Sequence, residues 1–265
     1  MEQIRIYDYY SFGYNYNILL SGHSNKTNSQ CLEDLKTYTN FIRRLDLRVT
    51  ISSIKLVQLI PEMEKLQKLA KAKKTKDLKV DPAFWKSIVE KLNKVDSTLD
   101  AELNTKIAYL LDEKRFTNEI LLGKIQQLFS KDTFALLPTI AQFDFEESGQ
   151  CLAFDRYTAC AFHSLRGTED VVKMYYEKLF STTATDRDTW GTYETAITTA
   201  IGNGTLTPHP DEQLIINIGS LRKYYRNKTQ HPQNTYSSDE SQDILSLCIK
   251  TVNDIILDLK KRSLI

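Results

Sequence analysis

The sequence predicts an all-α protein. Apolar residues recur at helical spacings from about residue 28 onward, and the few glycines and prolines stand mainly at junctions between periodic segments. With 265 residues, 41% of them hydrophobic, the chain can bury a substantial core as one large domain or two small ones. We predict an N-terminal extension (1–27), a helical region of unassigned role (28–142) and a C-terminal four-helix bundle (143–265).

The N-terminal extension departs from the helical pattern. In the stretch IRIYDYYSFGYNYNILL, apolar and aromatic residues alternate with others around Gly13, as they do on strands. We therefore expect a short β-hairpin there. Its tyrosines would either pack against a domain or stack on nucleic-acid bases.

The region 28–142 contains several predicted helices. The first two are SQCLEDLKTYTNFIRRLDLR and SSIKLVQLIPEMEKLQKLAKA, and we expect the second to be kinked near its middle at Pro61. The lysine-rich stretch KAKKTKDLKVDP then breaks the periodicity, either as a solvated loop or as an RNA-contacting one. Asp81 predicts a helix N-cap, with Pro82 at the first helical position. Further helical turns lead to Pro138, near which we place the domain boundary.

Four helical blocks form the predicted C-terminal bundle. The first has apolar residues at spacings of three, four and seven, and the second ends at a glycine. The third, DEQLIINIGSLRKYYR, is apolar on one face and carries Arg222 and Arg226, one turn apart, on a neighbouring face. The fourth begins where Ser237 and Glu240 match a capping box.

Composition excludes several classes of function. The 35 basic and 34 acidic residues leave a formal net charge of +1, so RNA contact would need a local patch. The four cysteines have no spacing typical of metal ligands, and we expect neither a metal nor a cofactor. Because we find no signal-peptide pattern and no membrane-spanning apolar run, we expect a cytoplasmic protein with no membrane partner.

The stretch YYRNKTQHPQNTY places Arg226, Asn227 and His231 where the third helix of the bundle must end. Pro232 disfavours helical geometry at His231, so we expect the histidine in a loop, able to turn back toward the guanidinium. A guanidinium suits phosphate oxygens, and an imidazole can transfer protons near neutral pH. Since RNA supplies its own nucleophile, the 2′-hydroxyl, this pair could support cleavage without a metal. Alternatively, the arginine caps helix carbonyls and the histidine fills a turn.

The segment RNKTQH resembles the R-x4-H motif of HEPN (higher eukaryote and prokaryote nucleotide-binding) domains. A second segment, CLAFDRYTACAFHSLRGTEDVVKMYY, is similar to the first helix of a group of bacterial HEPN proteins, with its A-x-FH-x-x-R-x-x-E pattern. RNKTQHPQNTYSSDES is similar to their R-N-x-x-x-H-P-x-x-x-Y region. The resemblance covers about residues 143–265. It implies a metal-independent endoribonuclease acting in antiphage defence or as a toxin.

The resemblance also implies partners and residue roles. Two copies would pair through this domain as a homodimer with one composite cleft, and a regulatory or antitoxin protein would restrain the activity. Arg226 would bind the scissile phosphate of the RNA substrate. His231 would transfer a proton or orient the 2′-hydroxyl, while Asn227 would position the backbone or phosphate. Arg166 and Glu169, three residues apart on one helix, would form a supporting polar pair.

RNA binding is expected to depend on a small cationic cluster of Arg222, Lys223 and Lys228 together with Arg226. His163 is expected either to pack or to take part in catalysis. Related toxins that a nucleotidyltransferase modifies carry a tyrosine two residues after the histidine, a position that Gln233 occupies here. The alternative function is a non-catalytic HEPN-type module that dimerises as an adaptor or binds a nucleotide or protein.

Overall fold

The computed structural model describes residues 5–21, 25–229, 231 and 233–265. Their regular structure is helical, with one isolated antiparallel bridge between Thr27 and Lys79, which confirms the predicted all-α class. No helix within these ranges is both long and apolar enough to cross a membrane. The chain divides into two compact units, which we call unit 1 (Met1–Tyr109) and unit 2 (Leu110–Ile265).

The described part of unit 1 is built from helices, and side-chain caps mark the starts of α2 and α5, at Thr27 and Asp81. These helices are α1 (Ile6–Ser21), α2 (Asn28–Arg44), α3 (Arg48–Leu56), α4 (Leu59–Lys71) and α5 (Pro82–Leu103). Thr27 and Gln30 form a capping box at the start of α2. Asp81 accepts a hydrogen bond from the Phe84 backbone N–H, which confirms the predicted N-cap of α5.

The predicted N-terminal hairpin is wrong, because Ile6–Ser21 form helix α1. On a strand, alternation places residues two and four apart on the same face. Because residues four apart also share one face of a helix, the pattern fits both structures. Phe12 and Tyr16 are such a pair, and both stack on Tyr38 of α2, at ring-centroid distances of 5.6 and 5.4 Å. Residues 1–4 and 22–24 of the predicted N-terminal extension lie outside the described residues.

The helix predicted to be kinked at Pro61 is two helices. Helix α3 ends at Leu56, and Gln58 adopts a left-handed backbone conformation, with a φ of 57°, before α4 begins at Leu59. Pro61 therefore lies in the first turn of α4 and not at the middle of a longer helix. Its missing N–H removes no intrahelical hydrogen bond there.

Unit 2 is built around a long helix, α8, that packs against α7 and α12. The helices are α6 (Asn118–Gly123), α7 (Thr139–Ala153), α8 (Tyr157–Phe180), α9 (Trp190–Gly202), α10 (Glu212–Ser220), α11 (Asn227–Thr229) and α12 (Ser238–Lys261). A π-helical segment, Leu221–Arg226, joins α10 to α11. Short 3₁₀ turns follow α6 at Ile125–Leu128 and Phe134–Leu136. Ser237 and Glu240 form the predicted capping box of α12.

The boundary between the units differs from the predicted one. Sequence periodicity placed it at residues 142/143, whereas the compact units meet after Tyr109. Leu121, Ile125 and Leu137 precede the predicted boundary, yet all three are buried in the core of unit 2. Pro138 stands immediately before α7 and therefore marks the start of a helix within the unit.

The close approach of α6 to α7 gives a test of this packing. A Cβ atom at Gly149 would lie 2.6 Å from the Leu121 carbonyl oxygen, whereas one at Gly123 would meet nothing within 4 Å. We expect Gly149→Ala to lower the free energy of unfolding by about 1–3 kcal/mol, because overpacking forces the backbone to shift. Gly123→Ala is the matched control and should leave stability unchanged or slightly higher. Urea denaturation measures both, and equal stabilities would contradict the packing.

Candidate functional site

Helix α8 carries His163, Arg166 and Glu169 at spacings of three, so that they lie on adjoining parts of its surface. Arg166 and Glu169 were expected to pair with each other. This expectation is wrong, because in the structure each of the two side chains binds a residue of another element. Asp144 of α7 binds Arg166, and Arg226 at the end of the π-helical segment binds Glu169.

Asp144 is the buried centre of the first group. Its carboxylate is 0% exposed and accepts hydrogen bonds from Arg166 Nε at 2.7 Å and Arg166 Nη2 at 2.5 Å. His163 Nδ1 lies 2.8 Å from Asp144 Oδ1. The hydrogen bonds to Asp144 raise the pKa of the Arg166 guanidinium. A carboxylate removed from water needs such partners, so these two side chains compensate its burial.

Small residues allow α7 and α8 to approach closely at this point. A Cβ atom at Gly167 would lie 3.1 Å from Asp144 Cβ, so only glycine fits there without displacing a neighbour. One helical turn away, the hydroxyls of Ser148 and Ser164 are 2.6 Å apart, and Ser164 donates to the Cys160 carbonyl oxygen. This close packing brings Asp144 within reach of the polar side chains of α8.

In the second group, the Glu169 carboxylate binds Arg226 along one edge of its guanidinium. Arg226 Nε donates to Glu169 Oε2 at 3.1 Å, and Nη2 donates to Oε1 at 3.3 Å. The side chains are 33% and 23% exposed, so solvent reaches this pair. Arg226 Nη1 has no hydrogen-bond acceptor among the residues that the structure describes. The pair therefore orients the guanidinium and leaves part of its donor capacity for a ligand.

The π-helical segment changes the register of the third bundle helix. Arg222 and Arg226 were predicted to share one cationic face, one turn apart. Because its hydrogen bonds run from residue i to i+5, a π turn contains more residues than an α turn, and the two arginines instead meet different helices. Arg222 Nε donates to Glu194 Oε2 of α9 at 2.5 Å, whereas Arg226 binds Glu169 of α8. The two arginines therefore bind different carboxylates instead of forming the predicted common cationic face.

His231 lies in the loop that follows α11, and its side chain is exposed to solvent. Its backbone N–H donates to the Lys228 carbonyl oxygen at 2.9 Å, and its own carbonyl accepts from the Asn234 N–H at 3.2 Å. Pro232, from which the end of the helix was predicted, lies outside the described residues. The imidazole is therefore accessible and not enclosed by apolar packing.

The loop carrying His231 is anchored by Tyr236. The Tyr236 hydroxyl lies 2.8 Å from Thr229 Oγ1, at the end of α11. The Tyr236 backbone N–H donates to Thr158 Oγ1 of α8 at 3.1 Å, and Asn234 Nδ2 donates to the Lys228 carbonyl oxygen. These hydrogen bonds connect the loop to both α8 and α11, so its ends are held near the arginine.

A recess of about 210 Å³ opens beside Arg226. It is lined by Phe162, Leu165, Arg166, Glu169, Arg226 and Thr229. An anion entering this recess would meet two guanidinium groups, each oriented by a carboxylate. A second recess, of about 200 Å³, shares Arg166 and Glu169 with the first and is also lined by Ile140, Asp170, Lys173 and Tyr193. His231 is not among the lining residues of either recess.

The other predicted site residues are on the surface near the motif. Asn227, Lys223 and Lys228 are exposed, and Lys223 Nζ lies 5.1 Å from the centre of the Tyr224 ring. Of the three predicted RNA-binding cations, Arg222 is the one that pairs with a carboxylate among the residues described by the structure. The described part of the chain holds no group of three or more His, Cys, Asp or Glu side chains arranged for a metal ion.

Asp144 is the site residue that sequence reasoning missed. It stands in the stretch TIAQFDFEESGQ with buried neighbours on one helical face, including Ala141, Phe145 and Ser148. Spacings of three and four place Asp144 on that same buried face. A lone acidic residue at a core position was therefore the available signal, and it implied a basic partner from another helix.

The two arginine–carboxylate pairs differ in burial, which predicts unequal costs when each arginine is removed. Arg166→Met leaves the fully buried Asp144 with only His163, and we expect a loss of about 3 kcal/mol of folding free energy. Arg226→Met, the matched change, leaves the solvent-accessible Glu169 and should cost about 1 kcal/mol or less. Urea denaturation measures both. Adding Asp144→Asn to Arg166→Met should recover part of the lost folding free energy, because the buried carboxylate is removed. Equal losses of folding free energy in Arg166→Met and Arg226→Met would contradict the burial argument.

Asp170 predicts a pH dependence of stability. Burial raises its pKa, and its Oδ2 atom is buried without a hydrogen-bond partner among the described residues. The folded protein therefore binds this proton more tightly than the unfolded chain, and stability decreases as pH rises from the unfolded pKa of about 3.9 through the raised value.

We accordingly expect Asp170→Asn to raise the midpoint of thermal unfolding by up to a few degrees at pH 7, with the difference shrinking toward pH 4. The exposed Asp186 is the control, because Asp186→Asn removes the same charge without removing a buried one. Thermal unfolding across this pH range checks the expectation. Parallel profiles for the wild type and Asp170→Asn would contradict it.

A scan of protein-family models and searches of curated proteins and of solved structures found no match to this chain. The likeness to HEPN domains therefore depends on the motif residues quoted above. The geometry contributes their positions: Arg226 is oriented by Glu169 beside a recess, and His231 is exposed in the anchored loop that follows.

Proposed function

We propose that unit 2 is a metal-independent endoribonuclease of the HEPN type, which cleaves RNA by attack of the 2′-hydroxyl on the adjacent phosphate. One observation carries the proposal. Arg226 is held in a bidentate pair with Glu169 at a recess that Arg166 also lines, and the exposed His231 follows in an anchored loop. The proposal is supported because a guanidinium suits phosphate oxygens and an imidazole can transfer protons, and the two groups are close in sequence.

The arginines would act on the phosphate. In the reaction, O2′ bonds to phosphorus, the bond from phosphorus to O5′ breaks, and negative charge builds on the non-bridging oxygens of the transition state. Guanidinium groups already oriented toward that charge stabilise it without reorganising during the reaction. Glu169 keeps Arg226 in place, and Asp144 does the same for Arg166.

His231 would act on the protons. The 2′-hydroxyl loses a proton as it attacks, and the departing O5′ gains one, so that the products are a 2′,3′-cyclic phosphate and a 5′-hydroxyl. An exposed imidazole can serve either transfer. Asn227, the next residue after Arg226, is exposed and would contribute a hydrogen bond to the phosphate or the loop backbone.

We further propose that two copies pair through unit 2 and form one composite cleft. Apolar side chains of α7 and α8 are exposed: Ile140, which lines the second recess, is 60%, Phe143 52% and Phe162 36% exposed. Phe162 also lines the recess, so a second copy packed there would enclose the site. An uncontrolled RNA nuclease would harm its host, which favours a role in antiphage defence or a toxin–antitoxin-like system with a regulatory protein partner.

A second function is favoured by the same ion pairs. Arg166 and Arg226 already have carboxylate partners, and their hydrogen bonds connect α7, α8 and the π-helical segment. Such a network can hold a bundle together without any reaction. On this alternative, unit 2 is a non-catalytic HEPN-type module that dimerises as an adaptor or binds a nucleotide or protein.

Cleavage of RNA in EDTA separates the two functions. We expect the purified protein to cut total RNA to products ending in 2′,3′-cyclic phosphate, and His231→Ala to reduce the rate by about 10²–10⁴-fold through loss of acid–base catalysis. Arg226→Ala should also abolish most cleavage, since the phosphate loses its oriented guanidinium. Gel electrophoresis of the RNA and analysis of the product ends provide the measurements.

The matched controls are Arg187→Ala and His209→Ala, which remove an exposed arginine and an exposed histidine of the same unit outside the site. Both should cleave RNA at the wild-type rate. Unchanged cleavage by Arg226→Ala and His231→Ala would contradict the proposed roles. If the wild type cleaves no RNA while sedimentation shows an intact dimer, the adaptor function is supported instead.

A further inference from the structure

A strong concentration of charge lies in unit 1, whereas the motif residues belong to unit 2. Residues 68–79, KLAKAKKTKDLK, which we call the lysine segment, contain six lysines and one acidic residue, Asp77. The segment has a formal charge of +5 in a chain whose net charge is +1, so the remainder of the chain is net negative. All six lysines are exposed, namely Lys68, Lys71, Lys73, Lys74, Lys76 and Lys79.

These lysines have little internal compensation. Lys76 Nζ lies 3.8 Å from Asp77 Oδ2, and both side chains are more than half exposed. Lys79 Nζ donates to the uncharged Asn25 side chain. Within the described ranges, the other four lysines of the segment form no ion pair. The positive charge of the segment is therefore presented to solvent.

The backbone of the lysine segment is fixed to the start of α2. The backbone N–H groups of Asn28 and Ser29 donate to the carbonyl oxygens of Leu78 and Lys76, at 3.0 and 3.2 Å. The buried side chain of Asn28 donates to the Thr75 carbonyl oxygen at 2.9 Å. The lysine charges thus lie close together on a backbone that is hydrogen-bonded to α2. Such an arrangement is electrostatically unfavourable by itself and is relieved by a bound polyanion.

The surroundings favour a nucleic-acid strand over a lipid surface. A helix that lies on a membrane turns an apolar face toward the lipid. Helix α4, whose last turn forms the start of the segment, instead buries Leu59 and Leu66 completely in the core of unit 1. Exposed lysines on a backbone that is helical as far as Lys71 and irregular beyond it match the repeated phosphates of a nucleic acid, whose binding releases counterions.

We propose that the lysine segment binds the phosphate backbone of RNA and supplies most of the affinity of this protein for its substrate. The choice of RNA as the nucleic acid rests on the proposed function of unit 2. Binding there would hold an RNA molecule on the same chain as the cleavage site and raise its effective concentration at that site. The RNA would then be captured by the lysine segment and positioned at the cleavage site by Arg222, Lys223 and Lys228.

The test uses the full chain and a probe that the proposed reaction cannot cut. A fluorescein-labelled 2′-O-methyl oligouridylate lacks the attacking hydroxyl, and its anisotropy reports binding at several salt concentrations. The variant K71Q/K73Q/K74Q/K76Q removes four lysines of the segment. The control K36Q/K55Q/K86Q/K94Q removes four exposed lysines from α2, α3 and α5, and therefore changes the charge of unit 1 equally.

We expect the lysine-segment variant to bind at least about tenfold more weakly near 0.1 M salt. The slope of log Kd against log salt should fall by about 3, because each neutralised phosphate of a single strand contributes about 0.7. The control should bind within about twofold of the wild type. Circular dichroism of both variants should match that of the wild type, since the replaced side chains are exposed.

Three outcomes would overturn the proposal. The wild type does not bind the probe, or both quadruple variants bind it equally more weakly. In the third, Arg226→Ala or His231→Ala weakens binding of the probe and the lysine-segment variant does not. Vesicles of phosphatidylserine and phosphatidylcholine form a further arm, because Leu78 is 58% exposed among the lysines. Lysine-dependent binding to vesicles without binding to RNA would identify a lipid surface and also overturn it. Probe binding without RNA cleavage would refute the nuclease and leave the binding surface supported.

Discussion

The burial of the Asp144 carboxylate is the constraint on which the candidate site depends. A fully buried negative charge must be compensated, and α8 supplies both Arg166 and His163 for this purpose. Their positions fix the rotation of α8 against α7. Glu169, three residues beyond Arg166, then lies on the neighbouring part of the helix, where it meets Arg226. One buried carboxylate thereby orders two arginines that line the same recess.

The carboxylates that orient these arginines also neutralise them. This balance explains how one geometry supports both a nuclease and a non-catalytic module, since a phosphate must bind beside the carboxylates or compete with them. Unit 1 presents the opposite arrangement, in which the lysine segment carries charges that few acidic side chains offset. Oriented, paired cations suit the chemistry of one phosphate, and exposed cations suit the capture of many.

Local features of the fold could be predicted because their causes lie within one helical turn. The N-cap at Asp81 and the capping box at Ser237 depend on residues at most three positions away, and both are present. The prediction failed where one pattern fits two structures. Aromatic residues of α1 satisfy both strand alternation and a helical face, and only their stacking on Tyr38 of α2 selects the helix.

The sequence by itself determined the all-α class, most helix positions in unit 2, the exposed lysines and the place of the Arg226 motif at the end of a helix. The tertiary structure alone decided the partners of the charged side chains. Asp144 and Arg166 are 22 residues apart, and Glu169 and Arg226 are 57 apart. Spacing along one helix cannot reveal which other helix supplies a carboxylate, because that depends on close packing at Gly167 and on the register after the π-helical segment.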